Sequence, residues 1–212
     1  MKTTLHQLLP ASLILFSLSF FPFIAFSVRQ FPLPAVVSLD RKEVKLGEAY
    51  YIASTMSPTI GVCLVDNVKC PKDIIQCPFF SDNPFGLPIT FSSVDNSTED
   101  TVVRENTPYR IQLSAPGNCS KENFWYLKDD GIPGKNFVAI GPKTLAVEFV
   151  LQKVLFGYKI TGCVLPSLPI CYGLGMVFES DLDRLGIGSD VQAVEFLFDK
   201  SSRPLPSPSA TS

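Results

Sequence analysis

The sequence predicts an all-β protein, and more narrowly a β-trefoil of twelve short strands in three pseudo-repeats. Two observations carry this prediction. The apolar runs are short and bounded by Gly, Pro, Asn or Asp, and no window of useful length shows a helical stripe. In addition, two tripeptide patterns each recur three times along the chain.

The two recurring patterns are interleaved. Tyr-x-Ile recurs at spacings of 59 and 49 residues, at Tyr50–Ile52, Tyr109–Ile111 and Tyr158–Ile160. A branched apolar residue followed by x-Phe recurs at spacings of 58 and 47 residues, at Ile89–Phe91, Val147–Phe149 and Val194–Phe196. The spacing shortens by a similar amount in both series, which indicates three units of about fifty residues, each with room for four strands. Three hairpin pairs would close a barrel and three would cap it. A two-sheet sandwich also suits short strands, but it requires no threefold repeat.

The N-terminus predicts a secretory signal peptide, residues 1–27. Met1-Lys2 precedes an apolar block of 19 residues, from Leu8 to Phe26, and small residues at Ala25 and Ser27 suit cleavage after Ser27. The alternative is a membrane anchor, for which this block is borderline in length. The remaining residues predict one domain, 28–200, and a disordered Pro/Ser-rich tail, 201–212.

Residue usage narrows the function. All six cysteines lie after the signal, which predicts three disulfides in a secreted chain. The only histidine, His6, lies within the signal, so the mature chain cannot use Ser-His or Cys-His hydrolysis or an imidazole metal ligand. We therefore expect neither an enzyme nor a cofactor or metal. A net charge of −2, about −3 without Lys2, gives no reason to expect nucleic acid. No later stretch is long enough for a membrane span.

A stiff loop follows the first hairpin. Residues 61–65 and 73–77 read as a hairpin around Asp66-Asn67. Residues 82–88 then carry two prolines and a glycine, with Phe85 and Leu87 where loops usually place polar side chains. Such a loop is suited to meeting a partner, although a surface turn with a partly buried Phe fits as well.

Three further motifs have plain interpretations. Asn96-Ser97-Thr98 is an N-glycosylation sequon, so Asn96 is a candidate glycosylation site. Phe124-Trp125 indicates core packing rather than ligand stacking. Asp129-Asp130-Gly131 indicates a solvated turn rather than a calcium site, because the rest of a calcium loop is missing.

Taken in order, several runs resemble plant Kunitz-type (soybean trypsin inhibitor) proteins. The runs that carry the resemblance are 39–40, 49–52, Cys70-Pro71-Lys72-Asp73-Ile74-Ile75-Gln76, 86–91, Cys119, 124–125, 158–160, Cys163, Cys171 and 173–176. The resemblance covers about residues 36–200. It implies a β-trefoil and a secreted or vacuolar plant protein that binds and blocks a target protease in defence or stress. We expect a monomer in the extracellular space (apoplast) or vacuole.

The resemblance also implies two disulfides, Cys70–Cys119 and Cys163–Cys171. Cys63 and Cys77 are additional to the family pattern. They would face each other across the first hairpin, so we pair them on cross-strand geometry. Two free thiols are the alternative.

By position in the family, the reactive loop precedes the last strand of unit one, at Phe85, Gly86, Leu87, Pro88 and Ile89. Pro88 would take the primary position, with Leu87 one place off, and neither suits a trypsin pocket. Arg110 looks like a trypsin-directed residue, but the repeat places it in the opening strand of unit two. The resemblance also implies an asparagine that braces the loop, but Leu46 stands near its place in this sequence.

These observations predict an endopeptidase inhibitor that is not directed at trypsin, acting on cysteine, aspartic or chymotrypsin-like enzymes. The alternative is a non-inhibitory trefoil that binds a small ligand or serves as a storage or stress protein.

Overall fold

A computed structural model describes residues 32–65, 72–95, 100–114, 123–164, 170–179 and 181–200 of the chain. Four predictions fall outside these residues: the signal peptide, the C-terminal tail, glycosylation at Asn96, and the Cys70–Cys119 bond. They stay predictions. The part of the chain that the structure describes holds no helix with the length and hydropathy needed to cross a bilayer.

The regular structure of the described residues consists of strands and one short 3₁₀ helix, Lys143–Leu145. The strands of unit one are β1 (Tyr51–Ser54), β2 (Val62–Leu64), β3 (Ile74–Gln76) and β4 (Ile89–Ser93). Those of unit two are β5 (Pro108–Leu113), β6 (Phe124–Lys128), β7 (Lys135–Gly141) and β8 (Phe149–Lys153). Those of unit three are β9 (Tyr158–Val164), β10 (Ile170–Gly173), β11 (Gly175–Glu179), β12 (Leu182–Gly188) and β13 (Glu195–Asp199).

Unit three has five strands because its second strand is interrupted at a single residue, Leu174. The Leu174 amide donates to the carbonyl of Ile160 at 2.7 Å, and its own carbonyl accepts from Val194 at 2.9 Å. Because Leu174 makes these two hydrogen bonds, the strand is divided into β10, which pairs with β9, and β11, which pairs with β12. The described residues therefore hold thirteen strands, one more than the twelve predicted.

The first and last strands of the units close a barrel. Neighbouring pairs run β1–β13, β13–β9, β9–β8, β8–β5 and β5–β4, all antiparallel. A bridge between Tyr50 and Ile89 joins β4 back to the start of β1. The ring leaves no open edge among its six strands, which confirms the predicted trefoil barrel.

The middle strands of the units form the cap. Hairpins β2–β3, β6–β7 and β11–β12 also contact one another. Gly186 pairs with Phe137, Arg184 pairs with Ile75, and Asp73 bridges to Ala139. All three units therefore meet at the cap.

The repeated tripeptides lie in the barrel wall, as predicted. Their tyrosine and isoleucine side chains are buried in β5, β9 and at the start of β1, and the three repeated phenylalanines are buried in β4, β8 and β13. Each tyrosine hydroxyl accepts a backbone N–H: Tyr50 from Lys45 at 3.0 Å, Tyr109 from Arg104 at 2.7 Å, and Tyr158 from Val37 at 2.9 Å. The pattern recurs because the barrel has three equivalent places. Each of them takes a buried tyrosine whose hydroxyl is hydrogen-bonded and an apolar isoleucine two residues later.

Trp125 is core, as predicted. Its side chain is fully buried and meets the ring of Phe149 edge to face, with 5.9 Å between the ring centroids. It therefore packs inside the protein and offers no stacking surface to a ligand.

An ion cluster ties the three units together at the cap; we call Asp73, Lys128, Asp130, Glu179 and Arg184 the cap cluster. Arg184 bonds to Asp73 at 2.6 Å, to Glu179 at 3.0 Å and also to Asp130. Lys128 lies 2.5 Å from Asp73 and 3.1 Å from Asp130. The turn at residues 129–131 is exposed, as predicted, and the Asp130 carboxylate also pairs with Lys128 and Arg184. Asp130 therefore links unit two to unit three.

The cap cluster shifts the pKa values of its members. Burial on its own would raise the pKa of Asp130, but hydrogen bonds from Arg184 and Lys128 outweigh burial and lower that pKa. Burial would likewise lower the pKa of Lys128, and the bonds to Asp73 and Asp130 raise it instead. In the described residues no group of acidic, histidine or cysteine side chains is arranged to hold a metal ion.

Candidate functional site

The candidate site is the connection between β3 and β4, residues 77–88, which we call the β3–β4 segment. Its ends are fixed by backbone hydrogen bonds to two other parts of the fold. Gly61 donates to the carbonyl of Pro84 at 2.7 Å, and Leu87 donates to the carbonyl of Val62 at 2.8 Å. Ser114, just after β5, donates to the carbonyl of Pro88 at 2.8 Å. The segment is thus held against β2 on one side and β5 on the other.

A disulfide closes the base of the β3–β4 segment. Cys63 in β2 is bonded to Cys77, with 4.9 Å between the Cα atoms. The predicted pairing is therefore present, but the register differs from the prediction. Cys63 lies opposite Ile75, and the Cys77 amide donates to Gly61, so the bond joins diagonal positions.

A second disulfide lies away from this segment. Cys163 in β9 is bonded to Cys171 in β10, as the resemblance implied. These two cysteines are directly opposite in the strand register, with 4.0 Å between the Cα atoms. The disulfide covalently links the two strands of the β9–β10 hairpin.

Asn83 braces the β3–β4 segment from within. Its side-chain amide donates to the carbonyl of Gly86 at 2.9 Å, and the Gly86 amide donates to the carbonyl of Asn83 at 3.1 Å. Sequence reasoning missed this role and looked for a brace near Leu46, which packs against the core. The sequence did indicate a turn here, because residues 83–86 follow the turn pattern Asn-Pro-x-Gly.

Two glycines allow the segment to lie this close to β2. Gly86 has a φ of +72°, which favours glycine, and a Cβ there would overlap the carbonyl oxygen of Val62 and lie 2.6 Å from Sγ of Cys77. A Cβ at Gly61 would overlap the carbonyl oxygen of Phe85. The approach of the two backbones leaves no space for a side chain at either position.

The predicted reactive-loop residues are less exposed than expected. Phe85 and Leu87 are half-buried, with Leu87 packed against the core, and Ile89 is fully buried as the first residue of β4. The backbone of this stretch is also engaged in the hydrogen bonds described above. Phe85–Ile89 therefore forms a rigid base, and its side chains offer a limited surface to a partner.

The exposed apolar side chains of the segment lie earlier, at Phe79 and Phe80. These side chains are 67% and 95% exposed, and their rings meet edge to face with 5.1 Å between centroids. The Ser81 amide donates to the carbonyl of Pro78 at 3.0 Å, which closes a turn. We call Pro78–Ser81 the aromatic turn. Sequence reasoning did not single it out, although a Phe-Phe pair directly after a bridged cysteine was visible.

Arg110 lies in the middle of β5, as the repeat predicted. It pairs with Ser92 of β4, and its Nη1 donates to the carbonyl of Val94 at 3.1 Å. Both flanking residues, Tyr109 and Ile111, are buried. A strand residue between buried neighbours cannot be offered to a protease as an extended loop.

A small cavity lies beside Phe85. Its volume is about 40 Å³, and Tyr51, Gly61 and Leu197 contribute to its lining. Small-molecule sites usually measure at least about 300 Å³. This cavity is therefore too small to hold a pigment or a sugar.

The sequence model of the legume Kunitz family, described as "Trypsin and protease inhibitor", matches residues 36–200. The chain belongs to the Kunitz inhibitor family. The resemblance seen in the sequence is thereby confirmed over the length that the motifs had indicated.

Similar proteins include inhibitors with different targets in their names. A trypsin/chymotrypsin inhibitor from Alocasia macrorrhizos is 32% identical over 112 residues, covering 50% of this chain and 59% of that protein. An alpha-amylase/subtilisin inhibitor from Oryza sativa subsp. japonica is 28% identical over 196 residues, covering 86% and 92%. A Kunitz type trypsin inhibitor from Cicer arietinum superposes with a TM-score of 0.65 at 24% identity, covering 80% of this chain and 100% of that one. The last likeness supports the β-trefoil fold of this Kunitz chain.

Proposed function

We propose that this Kunitz-family chain inhibits an endopeptidase and that the β3–β4 segment contacts the enzyme. The observation that carries the proposal is the rigidity of that segment, which a disulfide, the Asn83 brace and three backbone hydrogen bonds hold in one conformation. A contact surface that is ordered before binding loses little entropy when the complex forms. Family membership supplies the class of partner.

We further propose that the target has an apolar primary pocket and is not trypsin. Residues 77–89 contain no Lys or Arg, and their large side chains are Phe79, Phe80, Phe85, Leu87 and Ile89. The acid-floored pocket of trypsin selects a basic side chain, whereas chymotrypsin has a hydrophobic slot. The Alocasia relative is a trypsin/chymotrypsin inhibitor by name, so an enzyme with an apolar primary pocket is among the targets named for a similar protein.

We also propose that the protein is secreted, acts as a monomer outside the cell or in the vacuole, and takes part in defence or stress. The N-terminal 27 residues and the two disulfides of the described part support an oxidising destination. Mass spectrometry of the exported protein should show an N-terminus at residue 28. An N-terminus at Met1 would contradict this proposal.

A protease panel tests the proposed function. The mature chain, residues 28–212, is titrated against trypsin, chymotrypsin, a papain-like cysteine endopeptidase and a pepsin-like aspartic endopeptidase. We expect inhibition of chymotrypsin at least about a hundredfold stronger than that of trypsin, or about 2.8 kcal/mol in binding free energy. Inhibition confined to the cysteine or aspartic enzyme would overturn the specificity and leave inhibition standing. No inhibition at micromolar concentrations would overturn both.

The alternative is a non-inhibitory trefoil that carries a small ligand or is stored. The cavity beside Phe85 gives it no support, because that cavity is too small. A native mass spectrum of purified protein separates the two. Added mass with no inhibition would favour the alternative, and the bare mass with inhibition would count against it.

A further inference from the structure

We propose that Phe80 is the apolar anchor of the inhibitory contact: its ring enters the apolar primary pocket of a chymotrypsin-like serine endopeptidase from a closed turn, without presenting a bond for cleavage. This inference rests on the proposed function and adds to it one named residue and a binding mode.

The exposure of Phe80 is the first argument. At 95% exposure its ring gains almost nothing from the fold, and its neighbour Phe79 is 67% exposed. Two adjacent aromatic side chains left in water mark an interaction surface, because burial of each ring on binding is strongly favourable. Energetic hot spots of interfaces are enriched in such aromatic anchors.

The rigidity of the aromatic turn is the second argument. The turn begins next to Cys77, which is bonded to Cys63, and the Ser81–Pro78 hydrogen bond closes it. Pro78 fixes one backbone angle, and the edge-to-face contact with Phe79 restricts the Phe80 ring. The ring is therefore presented at a small entropic cost.

The surroundings of Phe80 distinguish it from other exposed phenylalanines. Phe156 is 71% exposed, but its backbone amide donates a hydrogen bond to the carboxylate oxygen Oε2 of Glu195 at 3.0 Å. Phe178 pairs with Asp183 across the strands and is followed by Glu179. An apolar pocket that received either ring would desolvate a carboxylate nearby, which is costly. Residues 77–81 carry no charged side chain, and the nearest one in the sequence, Asp82, is exposed.

The shape of the turn sets the binding mode. The Ser81–Pro78 hydrogen bond defines a four-residue β-turn, whose ends lie within about 7 Å. Four residues in the extended form that pairs with an enzyme's substrate-binding strand would span about 10 Å. The turn therefore delivers the Phe80 ring while the Phe80–Ser81 bond stays out of line with the catalytic serine.

The experiment compares Phe80→Ala with the matched control Phe156→Ala in the full mature chain. Both side chains are exposed, so neither variant should alter the thermal unfolding temperature by more than about 2 °C. We expect Phe80→Ala to raise the inhibition constant for chymotrypsin at least about tenfold and Phe156→Ala to change it less than about twofold. Phe80→Leu, which keeps an apolar group, should lose less than Phe80→Ala.

A second measurement tests whether the peptide bond between Phe80 and Ser81 is cleaved. After prolonged incubation with catalytic amounts of chymotrypsin, intact-mass analysis should show no cut between Phe80 and Ser81. A cut there would overturn the closed-turn mode. If the wild type inhibits chymotrypsin and Phe80→Ala inhibits equally well, the anchor is wrong while the proposed function survives. If the wild type inhibits no endopeptidase, both fail.

Discussion

The side-chain amide of Asn83 donates a hydrogen bond to the carbonyl oxygen of Gly86, 2.9 Å away, and the Gly86 amide returns one to the carbonyl of Asn83 at 3.1 Å. The two bonds lock residues 83–86 of the β3–β4 segment into one conformation. The brace is local, since Asn83 stands three residues before the glycine that it holds.

Replacing Asn83 by Ala should weaken inhibition about fivefold, because one hydrogen bond of about 1 kcal/mol no longer orders the segment before binding. Asn83→Asp is the matched variant: it keeps the size and removes the donor, so it should lose at least as much. Inhibition constants and thermal unfolding measure the two effects separately. An Asn83→Ala protein that inhibits as well as the wild type would show that the brace has no role in binding.

Replacing Gly86 by Ala should destabilise the protein more than the same change at Gly47. Both residues have nearly the same positive φ, +72° and +73°, but a Cβ at Gly47 meets nothing within 4 Å. Gly47→Ala should therefore cost only the backbone strain, about 1 kcal/mol. Gly86→Ala adds overlap with Val62 and contact with Sγ of Cys77, about 2 kcal/mol more. Denaturant unfolding measures both, and equal losses would contradict the close approach.

Removing the Cys63–Cys77 bond should lower stability and weaken inhibition together. The bond closes a loop with a sequence separation of 14, for which the entropic contribution is about 3 kcal/mol. The control is removal of Cys163–Cys171, with a separation of 8, which lies away from the β3–β4 segment. Paired Cys→Ala variants should lose similar stability, but only the first should lose inhibition. Equal inhibition by the two variants would separate the disulfide from the site.

Replacing Arg184 by Met should destabilise the fold by about 2 kcal/mol at neutral pH, because the partly exposed carboxylates of Asp73, Asp130 and Glu179 lose their partner. The Arg184 side chain is only 11% exposed, its guanidinium lies 3.6 Å from the centroid of the Phe137 ring, and it contacts acidic groups from all three units. The β3–β4 segment lies outside the cap cluster, so the folded variant should inhibit as strongly as the wild type.

Acid should narrow the difference between wild type and Arg184→Met. The folded pKa of Asp130 lies below its ordinary value of 3.8, so its pairing stabilises the protein above about that pH and is lost as pH falls through the folded value. In the variant only Lys128 remains to oppose burial, so the pKa of Asp130 is lowered less and less stability is lost when it protonates. Unfolding measured from pH 7 to pH 2 should show the two curves converging. Parallel curves would contradict this role of Arg184.

The fold could be predicted because its determinants are local and repeated. Tyr109 and Ile111 stand two residues apart on one face of a strand, and the same spacing returns in each unit. Burial on one face of a strand requires that alternation, so the pattern is visible without the structure. The position of Arg110 within a strand followed from the same register.

The details of the candidate site depend on contacts distant in sequence. Leu87 is half-buried because its amide reaches Val62, and nothing within residues 82–88 indicates that bond. The Cys63–Cys77 bond was predictable from the hairpin, but its diagonal register was not. Arg184 meets Asp73 from 111 residues away, so a single sequence gives no sign of the pair.

The parallel titration of chymotrypsin and trypsin with the mature chain tests the central claim most directly. The β3–β4 segment is rigid and has large apolar side chains but no Lys or Arg, so under the proposed function chymotrypsin should be inhibited at least about a hundredfold more strongly than trypsin. Equal inhibition of the two enzymes, or stronger inhibition of trypsin, would contradict the account and move the inhibitory surface away from the β3–β4 segment.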